Sequence, residues 1–293
     1  MKGTRSATLA ILAAGICWGM VSYFVKQLAN FGLLSPQIVF LRAFLASLFF
    51  GGILAVSQPE ALKIRLADVW MFFGTGVISQ FCFNCFYFYT MTHGHAAVGG
   101  VLLYSSPAFI LILSALLFHE RITGLKALAV FLTICGCVLV SGLCEQSQTA
   151  IPPRILCYGL MAGFLYSLYT IFGKYALKKY AASTVTFYTF LFAASAGFLF
   201  AHGPRTLWLC VTTPMVLFWG SMAALLFTLL PYFLYTWGLR VIPPGRASII
   251  VSVEPIVCCI MGLCFYHEPS SLLRFVGIAS ILLAIVLLNI QHE

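Results

Sequence analysis

Apolar segments of about 20 residues follow one another along the whole chain, separated by short polar breaks. A helix needs about 20 predominantly apolar residues to cross a hydrocarbon core roughly 30 Å thick, so each segment is long enough to span a bilayer. The pattern predicts an all-α integral membrane protein with ten transmembrane helices. They are expected at residues 8–28, 36–57, 68–91, 95–118, 125–143, 153–177, 182–202, 213–238, 243–266 and 271–290.

The composition indicates that lipid is the main solvent. Hydrophobic residues make up 62% of the chain and charged residues only 8%, whereas about one quarter of the residues in soluble domains are charged. We therefore expect no separate soluble domain. The apolar stretch after Lys2 and Arg5 is as long as a full span and lacks a small-residue cleavage site, so it is expected to be helix 1 and not a signal peptide.

Lysine and arginine residues divide unequally between the two sets of connectors. With the N-terminus in the cytoplasm, eleven of the 16 lie on the cytoplasmic side, and the positive-inside rule then places both termini there. Because these cations lie in short connectors and not on one face, no nucleic-acid partner is expected. The cytoplasmic group is Lys2, Arg5, Lys63, Arg65, Arg121, Lys126, Lys174, Lys178, Lys179, Arg240 and Arg246; the outer group is Lys26, Arg154, Arg205 and Arg274, while Arg42 falls within helix 2.

The chain repeats itself with a shift of 148 residues. The shift pairs Gly15 with Gly163 and Pro107 with Pro255, and it places the dipeptide at residues 119–120 on an identical His-Glu dipeptide. Each half holds five predicted helices, an odd number, so the second half would enter the membrane from the opposite side. This predicts two inverted five-helix repeats, residues 1–148 and 149–293, with a substrate site near the midplane where they meet.

Polar side chains form stripes on equivalent helices of the two halves. Gln80, Asn84 and Tyr87 share one face of helix 3, and the shift places Thr228, Tyr232 and Tyr235 on the matching face of helix 8. Such groups either hydrogen-bond a neighbouring helix or line a wet cavity. Aromatic rings mixed with small polar groups suit an organic substrate with an apolar body and a polar end. The candidate substrate-binding residues are Trp18, Ser22, Gln80, Asn84, Tyr87, Tyr104, Ser105, Tyr166, Thr170, Tyr232, Tyr235, Ser248, Ser252 and Glu254.

Two charged residues lie deep inside predicted spans. A charge there costs roughly 2.5–3.5 kcal/mol on insertion scales, so Glu254 needs a proton, a cationic substrate group or Arg42 to offset it. The first two would make Glu254 a coupling or binding residue; alternatively it accepts hydrogen bonds around the helix break at Pro255. Arg42 either recognises a substrate carboxylate or pairs with backbone groups. Pro107 and Pro255 weaken the helices at equivalent places and are candidate hinges.

Enzyme motifs are missing from the sequence. HExxH, GxSxG, the phosphate loop and GxGxxG are all absent, and two histidines near one turn, His93 and His95, are weak evidence for a metal. We therefore predict a non-enzyme without a metal or a cofactor.

Two segments resemble a known family. Pro107 to Thr123 (PAFILILSALLFHERIT) and Glu254 to Ser271 (EPIVCCIMGLCFYHEPSS) are similar to the signature of the EamA-type branch of the drug/metabolite transporter superfamily. The resemblance implies a permease of the bacterial inner membrane, often an exporter of amino acids, metabolites or toxic organic compounds, with a central cavity lined from both halves. Some members of the superfamily move nucleotide sugars and sugar phosphates, but the few deep cations here do not favour a multiply anionic substrate.

The predicted function is therefore a secondary transporter, an exporter of small organic metabolites such as amino acids or organic cations. Helices 1, 3, 4, 6, 8 and 9 would surround a midplane cavity and alternate between inward-open and outward-open states. Two driving forces are consistent with the sequence: the substrate gradient, or proton exchange through Glu254. The rival interpretations are a membrane enzyme acting on a lipid or peptide through His93, His95 or a cysteine, and a non-transporting receptor. The oligomeric state is not indicated.

Overall fold

Ten helical segments form a single bundle. The computed structural model describes residues 2–93, 96–141, 144, 152–266 and 271–290, and every regular element in that part of the chain is helical. The segments are α1 Lys2–Ala29, α2 Ser35–Ser57, α3 Leu66–Thr90, α4 Gly99–Phe118, α5 Gly124–Val140, α6 Pro153–Ala176, α7 Ala182–Phe200, α8 Pro214–Gly238, α9 Pro244–Phe265 and α10 Leu272–Ile290.

Eight of these helices are long and apolar enough to cross a membrane, namely α1 to α4 and α6 to α9. The remaining apolar helices, Gly124–Val140 and Leu272–Leu287, are shorter, so the predicted number of ten depends on α5 and α10 crossing as well. A further helix, Gly203–Thr212, connects α7 to α8 where the sequence suggested only a connector. The chain is thus a multi-pass membrane protein.

Proline and threonine mark several helix starts. Pro153, Pro214 and Pro244 occupy the first turns of α6, α8 and α9, where a missing N–H leaves no hydrogen bond unmade. Thr123 caps α5 by accepting a hydrogen bond from the Lys126 backbone N–H, at 3.3 Å.

Four helices are irregular, and the irregularities come in pairs. A π-helical stretch occupies Gly74–Cys82 of α3 and another occupies Leu225–Leu229 of α8. The α4 span is broken after Leu103, where the helix Ala96–Leu103 ends, and resumes as the helix Ser106–Phe118, while a 3-10 turn, Val251–Val253, interrupts α9. The 148-residue shift superposes the members of each pair. π-helical turns are frequent at functional sites, and a 3-10 stretch in the middle of a helix often marks a functional hinge.

Close packing between helices also follows the repeat. A Cβ atom placed on Gly15 of α1 would lie 2.6 Å from Val253 Cγ1 of α9, and one placed on Gly163 of α6 would lie 2.6 Å from Ser105 Oγ of α4. The shift relates Gly15 to Gly163 and Ser105 to Val253. Each contact joins a helix of one half to a helix of the other, so the halves interlock.

The remaining pairs complete the bundle. The α5 helix packs along α10, α2 along α7, α1 along α8 and α3 along α6. Gly136 and Gly277 allow α5 and α10 to meet closely, since a Cβ on Gly136 would lie 2.8 Å from the Gly277 carbonyl oxygen. The predicted boundary between residues 148 and 149 lies outside the described residues.

Candidate functional site

A cavity of about 260 Å³ lies inside the bundle. Its lining residues come from the C-terminal halves of α1 and α3, the N-terminal parts of α2 and α4, and the middle of α6, α7, α8 and α9. They are Trp18, Val21, Val25, Val39, Arg42, Ala43, Gln80, Phe83, Asn84, Tyr87, Phe88, Leu103, Tyr104, Tyr166, Phe190, Ala193, Thr228, Tyr232, Glu254 and Cys258. The cavity combines aromatic walls with two ionisable groups of opposite charge.

Arg42 reaches the cavity from α2 and is held by α8. Its Nε donates to Thr228 Oγ1 at 2.8 Å, and its Nη2 donates to the Phe227 carbonyl oxygen at 3.4 Å. Both acceptors belong to the π-helical stretch of α8. Arg42 therefore contacts a side-chain hydroxyl and a backbone carbonyl of α8, and it also forms part of the cavity wall.

Trp18 and Gln80 lie beside Tyr232. The rings of Trp18 and Tyr232 meet edge to face with centroids 4.7 Å apart, and the Gln80 amide faces the Tyr232 hydroxyl. Trp18 is 6% exposed and Gln80 is 7% exposed. Within the described part of the chain, Trp18 Nε1 finds no acceptor in hydrogen-bonding geometry.

Glu254 follows the 3-10 turn of α9 and begins the helix that continues to Tyr266. Its side chain lines the cavity together with Tyr104 and Tyr166. Among the described residues, no ion pair involves Glu254, so Arg42 and Glu254 line the same cavity without pairing with each other. Pro255 comes directly after Glu254 in the first turn of the new helix, and Pro107 holds the equivalent place after the break in α4.

A second cavity of only about 20 Å³ lies on the other side of Tyr104, Tyr166 and Glu254. Ser248 and Ser252 contact it, but their hydroxyls donate to carbonyls of their own helix, at 2.9 Å to Gly245 and 2.9 Å to Ser248 respectively. The full lining is Leu103, Tyr104, Ser106, Pro107, Ile110, Tyr166, Tyr235, Ser248, Val251, Ser252 and Glu254.

Most of the predicted binding residues line one of the two cavities, but two do not. Ser105 donates to the Leu102 carbonyl oxygen at 2.6 Å and packs against Gly163. Thr170 shares a hydrogen bond of 2.8 Å with the Tyr235 hydroxyl, outside the lining of either cavity. The side chain of Ser22 lies outside the part that the structure describes.

The expected set of six lining helices was too small. The α2 and α7 helices also line the main cavity, α2 with Val39 and Ala43 beside Arg42, and α7 with Phe190 and Ala193. In the sequence, Arg42 was the only indication that α2 lines the cavity. No sequence feature indicated that α7 lines the cavity, because an apolar residue facing a cavity cannot be distinguished in sequence from one facing lipid.

The two ends of the bundle differ at repeat-equivalent places. Near the α6–α7 and α8–α9 connectors, which we call the closed face, Tyr169 Oη and Thr236 Oγ1 are hydrogen-bonded at 2.6 Å, beside the bond between Thr170 and Tyr235. All four residues are buried.

Near the α1–α2 connector, which we call the accessible face, the repeat places different residues. Val21 and Phe88 stand where Tyr169 and Thr236 stand in the other half, and Tyr87 is equivalent to Tyr235. All three line the main cavity and are partly exposed. The cavity therefore extends towards the accessible face and is blocked by hydrogen-bonded side chains at the closed face.

Metal ligands do not gather in the described residues, where no group of three His, Cys, Asp or Glu side chains could hold an ion. His93 stacks on Tyr89 with ring centroids 4.0 Å apart, and His95 lies outside the described residues. The described part of the site thus offers polar and aromatic contacts for an organic molecule.

The sequence matches the EamA-like transporter family twice, over residues 5–142 and 153–290. An uncharacterized transporter of Archaeoglobus fulgidus is 25% identical over 292 residues, which cover 97% of this chain and 96% of that protein. The uncharacterized transporter YetK of Bacillus subtilis is 25% identical over 94% of this chain and 83% of its own length.

Two further similarities extend over nearly the whole chain. The uncharacterized inner membrane transporter YicL of Salmonella typhimurium is 21% identical over 100% of this chain and 98% of its own length. One crystal structure superposes with a TM-score of 0.78 at 13% identity, covering 98% of this chain and 97% of its own. That structural likeness establishes a shared fold.

Proposed function

Because the chain belongs to the EamA-like transporter family, we propose that it carries small organic molecules across the membrane by alternating access, with the main cavity as its substrate site. The two halves, residues 1–148 and 149–293, would be inverted repeats, and α5 and α10 would cross the membrane as a packed pair. The location would be a bacterial inner membrane, with both termini in the cytoplasm as the distribution of cations favours.

The observation that carries this proposal is the difference between the two faces. Inverted repeats give a protein two similar pathways to one central site, and transport requires that only one pathway is open at a time. Here Tyr169 and Thr236 close one pathway, while their equivalents Val21 and Phe88 line the other. If the closed pathway opened and the open pathway closed, the cavity would become accessible from the opposite side of the membrane. With cytoplasmic termini, the accessible face is external.

The cavity wall suggests what is carried. Tyr87, Tyr104 and Tyr166 offer apolar ring faces with hydroxyl groups, and Arg42 and Glu254 add opposite charges. This combination suits small metabolites such as amino acids or organic cations. Export is the proposed direction. Glu254 would either contact a cationic group or carry a proton in exchange for substrate, with the substrate gradient as the alternative driving force.

Pro107 and Pro255 support the movement. Each follows a break in a helix that contacts the cavity, α4 or α9, and proline removes a backbone hydrogen bond at that point. We propose that the two breaks are hinges that let the halves of these helices tilt separately.

Cross-linking of the closed face tests alternating access. In a variant whose eleven native cysteines are replaced, Thr170→Cys and Tyr235→Cys would be bridged by a short bifunctional thiol reagent. Counterflow in proteoliposomes should stop after bridging and recover after reduction, because the closed face can no longer open. The control pair, Ser195→Cys with Ser280→Cys, replaces an exposed residue of α7 and a partly exposed residue of α10, both outside the main cavity, and should have no effect. Undiminished counterflow across a bridged closed face would refute the mechanism.

The same preparation separates transport from its rivals. A membrane enzyme would convert a lipid or peptide without net flux, and a receptor would bind a ligand without exchanging it across the bilayer. Counterflow of any bound ligand excludes both.

A further inference from the structure

An apolar groove runs along the outer surface of the α2–α7 pair, away from the main cavity. Its volume is about 710 Å³, within the roughly 300–1,000 Å³ of ligand pockets. Ser47 and Ser195 donate to the carbonyl oxygens of Phe44 and Leu191 in their own helices, each at 2.8 Å, so the groove suits an apolar ligand. The lining residues are Phe40, Phe44, Ser47, Leu48, Gly51, Gly52, Leu62, Phe187, Leu191, Ala194, Ser195, Phe198 and Leu199.

The groove is about as long as one leaflet of the bilayer core is thick. Its lining extends from Gly52 to Phe40 on α2 and from Phe187 to Leu199 on α7, a separation of 12 residues on each helix. At 1.5 Å per residue this is about 18 Å, against about 15 Å for half of a core roughly 30 Å thick. Leu199 is 75% exposed, so the groove opens to the surrounding lipid. An extended acyl chain would fit along it.

A positively charged pocket adjoins one end of this groove. Leu62 lines the groove, and the next residue, Lys63, lines the pocket, whose volume is about 500 Å³. It lies at the closed face, where the α2–α3 connector meets the α6–α7 connector. We call it the basic pocket, and its wall holds three cations and one carboxylate: Lys63, Ile64, Arg65, Asp68, Lys179 and Tyr180.

The carboxylate of the basic pocket is already paired. Asp68 Oδ1 accepts from Lys179 Nζ at 2.5 Å, and Oδ2 accepts from the Tyr180 hydroxyl at 2.7 Å. The same hydroxyl accepts from the Arg65 backbone N–H at 3.1 Å. These bonds join the two connectors and leave the pocket with an excess of positive charge.

Two cations of the basic pocket are available to an anion. Among the described residues, Arg65 takes part in no ion pair. Lys63 is paired with Glu60 at 2.7 Å, but the two side chains are 72% and 80% exposed. A pair this exposed contributes little, so Lys63 can turn to another anion at small cost.

The repeat does not reproduce this charge at the other end of the α2–α7 pair. The 148-residue shift relates α2 to α7, which makes the two ends of the pair equivalent. It places Val211 where Lys63 stands and Thr213 where Arg65 stands. The positive pocket is therefore a property of the closed face alone among these two ends.

We propose that the groove and the basic pocket together bind one anionic phospholipid, with an acyl chain between α2 and α7 and the phosphate between Lys63 and Arg65. Phosphate oxygens form strong hydrogen bonds with arginine and lysine, and basic pockets between transmembrane helices suit acidic head groups. With cytoplasmic termini, the lipid belongs to the inner leaflet. The site is separate from the main cavity, so the inference goes beyond the proposed function and does not depend on the substrate.

Native mass spectrometry of the purified protein measures lipid binding directly. The probes are phosphatidylglycerol and phosphatidylcholine with identical acyl chains. Phosphatidylglycerol should bind at least about tenfold more tightly, a difference of 1.4 kcal/mol. Equal binding of the two lipids overturns the proposal. Displacement of phosphatidylglycerol by an equal concentration of inorganic phosphate also overturns it, because the site would then recognise free phosphate and not a lipid.

Removing the two available cations tests the head-group contact. Lys63→Gln with Arg65→Gln should weaken phosphatidylglycerol binding by at least about tenfold and leave phosphatidylcholine binding unchanged. Arg205→Gln is the matched control, because it removes an exposed cation at the opposite end of α7. An equal loss in the control would show that phosphatidylglycerol responds to net charge and has no site at the basic pocket.

Filling the groove tests the acyl-chain contact. Nothing lies within 4 Å of a Cβ atom on Gly52, and leucine forms helices better than glycine, so Gly52→Leu should fold and occupy the groove. Binding of both lipids should fall by about tenfold. Gly100→Leu, at an α4 glycine with equally open surroundings outside the groove, is the control. Thermal unfolding without added lipid checks that both variants are folded. Unaltered binding to folded Gly52→Leu would refute the proposed acyl-chain position.

Discussion

The closed face and the accessible face are built from equivalent parts of the repeat but differ in chemistry. Tyr169 and Thr236 form a buried hydrogen bond at the closed face, whereas Val21 and Phe88, their equivalents at the accessible face, have no side-chain group that could form one. A net hydrogen bond contributes about 0.5–1.5 kcal/mol. In the proposed mechanism, the repeat supplies two similar pathways, and the residues that differ between the halves decide which one is closed more firmly. We expect the protein to rest with its accessible face open.

The largest expected effect is a loss of stability at two helix crossings that the repeat makes equivalent. In one, α1 crosses α9, and in the other, α6 crosses α4. A Cβ on Gly15 would lie 2.7 Å from the Val251 carbonyl oxygen, and one on Gly163 would lie 2.9 Å from the Leu102 carbonyl oxygen. Gly15→Ala and Gly163→Ala should each lower stability by about 1–3 kcal/mol through overpacking.

Thermal unfolding of the purified variants measures this loss. Gly52→Ala is the control, since nothing lies within 4 Å of the added methyl group. If only one of the two equivalent variants were destabilised, the packing symmetry of the two crossings would be disproved.

Glu254→Gln should have the next largest effect if the carboxyl group exchanges protons. Flux driven by a pH gradient should fall by at least about tenfold, because glutamine cannot take up or release a proton, while gradient-free counterflow continues. Both fluxes can be measured in the same proteoliposomes. Glu120→Gln, which alters a carboxylate 3.4 Å from Lys126 outside the cavity, is the control. Gradient-driven flux that is unaltered in Glu254→Gln would rule out coupling through this residue.

A smaller effect is expected from exchanging the chemistry of the two faces. Tyr169→Phe removes the bond at the closed face, and Val21→Tyr with Phe88→Thr introduces its equivalent at the accessible face. Each change should lower the ratio of open to closed accessible face by about fivefold, the factor given by about 1 kcal/mol.

The thiol-labelling rate of Asn84→Cys on the cavity wall reports this opening. Tyr188→Phe serves as control, because that hydroxyl donates to the Leu62 carbonyl oxygen away from the cavity. Labelling that stays constant in both the removal and the introduction variants would show that these hydrogen bonds do not set the preference between faces.

The smallest effect is expected at the second cavity, the space of about 20 Å³ beside Tyr104, Tyr166 and Glu254. The hydroxyls of Ser248 and Ser252 donate hydrogen bonds to backbone carbonyls of their own helix. Losing these local hydrogen bonds should cost the helix little. Ser248→Ala and Ser252→Ala should therefore change counterflow by less than about twofold, a difference of about 0.4 kcal/mol. A large loss from either variant would mean that the hydroxyl contacts substrate in another state of the protein.

The sequence predicted an all-helical membrane protein, and many of the polar residues that it indicated lie along the main cavity. Residues such as Gln80, Asn84 and Tyr87 were found because helical periodicity places them on one face, and the repeat then indicated Tyr232 on the equivalent face. Periodicity gives the direction of a side chain but not its neighbour. For that reason Thr170, which bonds Tyr235, and Ser105, which packs against Gly163, were grouped with the binding residues.

Other features depended on information that one sequence does not hold. Phe190 and Ala193 line the cavity from α7, but nothing in an apolar helix distinguishes its cavity side from its lipid side. The π-helical stretches of α3 and α8 leave no local pattern either. They became visible only as matched irregularities in the two halves.

Distances measured across the two faces by pulsed electron spin resonance give the most direct test of alternating access. One pair of spin labels would replace the exposed Lys26 and His93 at the accessible face, and a second pair the exposed Lys178 and Arg240 at the closed face. Reciprocal change is expected in liposomes with and without a transported ligand: when the first distance shortens, the second lengthens. Counterflow of that ligand with both distances fixed, or with both faces widening together, would contradict alternating access between the two repeats.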